Sequence, residues 1–119
     1  MGWAKDELSG IDLGDQRLNN RSVKLLERFS EKPSASIPGA CGGWSETVAA
    51  YRFLAQGDID WRDILQPHID CTLMRIQASP VVLCLQDTTE LAYNGQTLDD
   101  LGPLSYETQR GMLLHRTIA

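Results

Sequence analysis

The 119 residues predict an α+β chain: an N-terminal helical bundle of about three helices, then two β-strands. Three observations carry this reading. Apolar residues recur at helical spacing in stretches between residues 16 and 77. Residues 81–93 (VVLCLQDTTELAY) then form a run rich in apolar and β-branched side chains, which reads as a strand. A second such run, residues 112–119, comes after a long stretch with no clear period. Helices and strands are thus segregated along the chain, with an expected boundary near residue 79.

Taken in order, residues 3–13 form a short segment with room for one helical turn. Gly14 breaks it, and Asp15 is placed to cap the next helix. Residues 16–30 are helical: Leu18, Leu25 and Phe29 recur seven and four apart, with Leu26 beside them, and make one buried face. Residues 31–43 (EKPSASIPGACGG) read as a loop. A second helix, residues 44–55, carries Trp44, Val48 and Tyr51 on one face, with Ala50 and Leu54 nearby. Asp58 or Asp60 caps a third helix running to about Gln77. Its expected core face is Ile59, Ile64, Leu65, Ile69, Leu73 and Ile76, and Pro67 should kink or split it. Ala78-Ser79-Pro80 ends it. After the first strand, Asn94-Gly95 signals a turn. Residues 96–111 read as a loop. Neither internal repeats nor low-complexity tracts are visible.

Composition narrows the class. At 42% hydrophobic and 23% charged residues the chain is an ordinary globular protein, large enough for one small domain. No apolar run approaches the roughly 20 residues that span a bilayer. No basic-then-apolar leader opens the chain, so the expected location is cytoplasmic, without a membrane partner. Cys41, Cys71 and Cys84 are odd in number and lack metal-ligand spacing, so they read as free thiols. The net charge of -5 argues at first against nucleic-acid binding. Charge is unevenly distributed, however: residues 1–32 hold six of the eleven basic groups, balanced by six acids. A nucleic-acid footprint depends on clustering as well as on the total.

Two groups of residues are chemically suggestive. In the first helix Arg17, Arg21, Lys24 and Arg28 recur four, three and four apart, within a stripe of roughly 60° at helical spacing. Such a stripe is either a solvated face, with Lys24 and Glu27 pairing across a turn, or a phosphate-binding one. Glu27 and Glu31 border it. The second is Asp87. Strand alternation puts it with Val81, Leu83, Leu85, Thr89, Leu91 and Tyr93, mid-strand on the more apolar face. A carboxylate there is costly unless a metal ion, an arginine or backbone N–H groups pair with it.

Four pieces of sequence in order, WAKDEL…LGDQR, AAYRFL, LQDTTELAY and LGPL…QRGMLLHRTIA, resemble bacterial insertion-sequence transposases of the DDE type, the group that includes the transposase of transposon five. The resemblance covers Trp3 to Ala119. It implies a helical domain over residues 1–79 that binds double-stranded transposon-end DNA, and over residues 80–119 the first strands of a ribonuclease-H-like catalytic domain, truncated. It puts the first metal-binding acid of a triad at Asp87, with Mg2+ or Mn2+ as the metal, and the other two acids beyond residue 119. The chain by itself is therefore expected to be inactive. Asp99, Asp100 and Glu107 match no family acid, and Glu90 lies on the opposite strand face from Asp87. Arg17, Arg21 and Arg52 match basic positions of the family's end-binding domain. Lys24, Arg28 and Lys32 are added to the DNA-binding set from the basic stripe. His115 stands where the family also has a histidine, and Arg116 where it more usually has a small hydroxyl residue. The competing reading is a stand-alone, non-catalytic DNA-binding or interaction protein that regulates transposition. Exposed strands make self-association a further expected property.

Overall fold

The computed structural model describes residues 2–93, 98–106 and 108–119. The chain divides into two compact units, Met1–Arg75 and Ile76–Ala119. The first holds helices α1 (Trp3–Glu7), α2 (Gln16–Glu31), α3 (Ile37–Ala40) and α4 (Trp44–Leu54), and nearly all of α5 (Trp61–Gln77). The second holds strands β1 (Leu85–Ala92), β2 (Gly102–Pro103) and β3 (Arg110–Ile118). The class is α+β as expected. Among the described residues there are five helices rather than about three, and three strands rather than two.

Local chemistry explains the helix starts. Gly14 takes φ 82°, a left-handed conformation that favours glycine, and turns the chain into α2. Asp15 stays extended and its carboxylate accepts the Arg17 N–H at 2.8 Å, which caps the helix. The Asn19 side chain accepts the Leu13 N–H at 2.8 Å and ties down the preceding segment. Helix α3 lies inside the stretch expected to be loop. Ser36 caps it by accepting the Gly39 N–H, and Pro38 sits in its first turn, where a missing donor costs nothing. At α5 the Asp60 carboxylate accepts the Arg62 N–H at 2.9 Å, so Asp60 caps that helix as anticipated. Pro67 does not split α5, which runs unbroken with Pro67 buried. The proline removes one backbone bond from a helix of 17 residues, and the remaining ladder holds.

The core of this unit is Leu25, Cys41, Ala50 and Phe53, with Leu13, Leu18, Phe29, Ile37, Ile59 and Ile64 packed against it. The buried face anticipated for α2 is therefore present. The face anticipated for α4 is not. Thr47, Ala50 and Phe53 are buried, whereas Trp44 is 81% exposed and Tyr51 50%. Ala50, fully buried, lets α4 approach α2 closely, and that selects the 47–50–53 stripe over the more hydrophobic one. In α5 Leu65, Ile69 and Leu73 are exposed, and only Ile59 and Ile64 of the expected core face join the core.

In the second unit β1 pairs antiparallel with β3, from Leu85 opposite Ile118 to Ala92 opposite Gly111. Strand β2 pairs with the other side of β3 through Gly102–Gly111 and Pro103–Arg110, giving the order β1-β3-β2. Strand β1 starts at Leu85 rather than at residue 81, because the register leaves residues 81–83 without opposite positions on β3. Strand β2 lies in the stretch expected to be a loop. The chain reverses after it through Leu104 N–H to Gln109 O and Gln109 N–H to Tyr106 O. Pro103 is tolerated there because β2 is an edge strand. The Asn94-Gly95 turn and Glu107 lie outside the described residues. No helix of the described residues is long and apolar enough to cross a membrane, and all three cysteines are free.

Candidate nucleic-acid interface

Helix α2 is continuous from Gln16 to Glu31, so Arg17, Arg21, Lys24 and Arg28 do line one side of it. Their surroundings differ. Arg17 is exposed and pairs with the Asp15 carboxylate at 2.9 Å, which holds that carboxyl below its ordinary range. Arg21 is half-buried and forms no ion pair among the described residues. Lys32 caps the C-terminus of α2 and reaches the Gly39 carbonyl at 3.4 Å. Arg52 is exposed in the last turn of α4.

Lys24 and Arg28 meet on one acid that the sequence did not single out. Glu46, in the first turn of α4, receives Lys24 Nζ at 2.8 Å and Arg28 Nη2 at 3.2 Å on the same oxygen, Oε1. Its other oxygen accepts the Gly42 N–H at 2.6 Å. Lys24, the Gly42 amide and Arg28 hold the Glu46 carboxyl down at about 2. Arg28 also lies 3.6 Å from Glu31. The pairs join positions 18 and 22 apart on different helices, so no local spacing rule reveals them. The one local cue is Gly42-Gly43 three residues before Glu46, a sequence that lets a first-turn carboxylate fold back onto the preceding amide. Gly43 has φ 126°, open only to glycine without strain.

A second cluster of this kind joins α1 to α5. The Glu7 carboxylate accepts two hydrogen bonds from Arg75, at 3.0 and 2.8 Å, and lies 2.5 Å from His68 Nδ1. Arg75 and then His68 hold its carboxyl down at about 2. These contacts span more than 60 positions and were equally invisible in the sequence. Beside them an apolar groove of about 550 Å³ opens between the helices, lined by Trp3, Leu26, Phe29, Leu54, Trp61 and Leu65 among others.

Asp87 is not buried. It is exposed on β1, its Oδ1 accepts the Thr88 N–H at 2.9 Å, and the register sets it opposite Arg116 on β3. Of the apolar neighbours that suggested burial, Val81, Leu83 and Leu85 are themselves exposed. On the opposite face, Thr88 Oγ1 and His115 Nδ1 lie 2.7 Å apart across the strands, and Glu90 accepts the Ser105 N–H at 3.0 Å. Among the described residues no three His, Cys, Asp or Glu side chains converge to hold a metal ion. A single exposed carboxylate facing an arginine is not by itself the donor set of a divalent-cation centre, which takes about six oxygen ligands.

Residues 1–59 match the family described as transposase DNA-binding. The matched stretch takes in α1 to α4 and ends just before α5, so it covers all six candidate DNA-binding residues and the Glu46 cluster. The match supports an N-terminal transposase DNA-binding domain.

Proposed function

We infer that a chain opening on a transposase DNA-binding domain recognises the ends of a mobile element, and that this chain is the N-terminal part of a cut-and-paste insertion-sequence transposase of the DDE type. The family match over residues 1–59 is the observation that carries the reading. Support comes from the cations of α2 and α4 that remain accessible: Arg17, Arg21, Lys32 and Arg52. Lys24 and Arg28 belong to the same proposed DNA-binding set. Cations of this kind meet the phosphates of a duplex, and that interaction supplies most sequence-independent affinity. Such a protein works where the DNA is, in the bacterial cytoplasm.

In the same reading, the strand unit begins a ribonuclease-H-like domain, and Asp87 contributes one donor to a Mg2+ or Mn2+ centre that other acids complete. The metal, when bound, would polarise phosphate oxygens. The chain's own residues bind and orient DNA. The exposed edge of β1 is also proposed as a surface for self-association.

Fluorescence anisotropy with duplex DNA tests the binding reading. Arg21→Ala and Arg52→Ala should each weaken binding similarly across sequences, and each should lower the salt slope by about one. Equal affinity of wild type and the double variant at low salt would refute it. With Mg2+ or Mn2+ the chain should not nick DNA, because no three His, Cys, Asp or Glu side chains converge to hold a metal ion among the described residues. Cleavage that disappears in Asp87→Asn would overturn that expectation and favour a complete catalytic unit.

A further inference from the structure

Glu46 occupies a set of donors that suits a different anion. Lys24 Nζ, Arg28 Nη2 and the Gly42 N–H converge on its carboxylate within 2.6–3.2 Å. An ammonium, a guanidinium and a glycine-loop amide are the groups that hold a phosphate in many proteins. The two cations remain open to solvent, with 48% of the Lys24 and 37% of the Arg28 side chain exposed, while Glu46 is only 16% exposed. A phosphate approaching these cations therefore meets a fixed negative charge behind them. A Cβ at Gly42 would meet both Glu46 oxygens and Arg28 Nη2 at 3.1–3.2 Å, all ends of flexible side chains.

We propose that Glu46 is an internal stand-in for a DNA phosphate, which occupies Lys24 and Arg28 in the free protein and must yield them before they engage a duplex. This rests on the reading of residues 1–59 as a DNA-binding domain. It adds that the centre of the α2 stripe is held back in the free protein. The flanking cations Arg17, Arg21 and Arg52 set basal affinity, and Lys24 and Arg28 contribute only after exchange of one anion for another. No covalent step is involved. The exchange returns the carboxylate to water and releases counterions from the DNA.

The test is anisotropy over about 50–200 mM salt, a range in which phosphate contacts show clearly. Glu46→Gln keeps an acceptor for the Gly42 amide and removes the charge. It should bind several-fold tighter than wild type at the lowest salt, with a slope steeper by about one to two. Lys24→Ala with Arg28→Ala should weaken binding in wild type and weaken it by more in Glu46→Gln, abolishing the whole gain there. An unchanged slope in Glu46→Gln, or an equal loss from the double substitution in both backgrounds, overturns the proposal. A second measurement needs no variant. In the wild-type protein Lys24, the Gly42 amide and Arg28 hold the Glu46 carboxyl down at about 2, and carbon NMR can follow its titration. Added duplex should raise that value toward the ordinary 4.5. A value unmoved at saturating DNA rejects the exchange even if the variant fails to fold. Failure of the underlying reading looks different: wild type then shows no salt-dependent binding, and Arg21→Ala changes nothing.

Discussion

Gly111 is where one hydrogen atom decides the sheet. It is buried at the end of the β1–β3 ladder opposite Ala92, and a Cβ there would sit 1.9 Å from the Leu91 carbonyl oxygen. Backbone cannot move aside as a side chain can. Gly111→Ala should therefore cost about 1–3 kcal/mol or more, the range for overpacked sites. Amide exchange along β1 should accelerate, with α2 unaffected. Slow exchange retained at residues 88–92 would show that the ladder adjusts. Two acids make stability depend on pH. Glu7 and Glu46 titrate at about 2 in the folded chain, against an ordinary 4.5. Between those values the unfolded chain binds more protons, so acid favours unfolding. Their contribution is complete above about pH 4.5 and is lost as pH falls through 2. Thermal melts should drop across that window, and Glu7→Gln should flatten part of the drop. Melts of that variant as steep in pH as those of wild type would mean other carboxylates carry the effect.

Helices α2 and α5 share one start device, an aspartate that accepts the amide two residues on. Asp15→Ala leaves that amide without its partner and also frees Arg17. It should destabilise the helical unit by about 0.5–2 kcal/mol, the usual cost of a lost N-cap. Urea unfolding followed by circular dichroism reads this as a lower midpoint with an unchanged slope. A change below measurement error would mean that the Asn19 bond to Leu13 suffices to start α2. Helix α4 begins differently, on Gly43 at φ 126° with no side-chain cap. Glu46 fastens that end to α2 through Lys24 and Arg28. An alanine at position 43 would strain the backbone whatever space surrounds it.

For the whole molecule, charge is divided unevenly. Residues 80–119 hold two basic groups against five acids, while residues 1–32 are balanced. Phosphate binding is a local matter, so the net charge of -5 would lower affinity without abolishing the proposed footprint on α2. NMR shifts on adding duplex to the full chain should concentrate in residues 1–59 and leave β1 and β3 unmoved. Shifts centred on the strands would reassign the interface. Stability should be uneven as well. A sheet of two full strands and one of two residues is marginal in water. Amides of residues 85–92 should exchange faster than those of residues 18–29. Equal protection in a dilute monomer would show that the strand unit holds a complete fold of its own.

By itself the sequence determined what rests on near neighbours. Helix α2 and its cap at Asp15, a cap at Asp58 or Asp60, a strand within residues 81–93 and the α+β order were legible because periodicity and capping act within a few residues. The basic spacing on α2 was legible for the same reason. The tertiary structure alone decided which cations are already taken. Glu46 draws in Lys24 and Arg28 from another helix, and Glu7 gathers His68 and Arg75 from more than 60 positions away. It also chose Thr47, Ala50 and Phe53 over Trp44 and Tyr51, since a fully buried Ala50 lets α4 approach α2 closely. Asp87 was read as buried because strand alternation reveals which residues share a face, whereas burial depends on what covers that face.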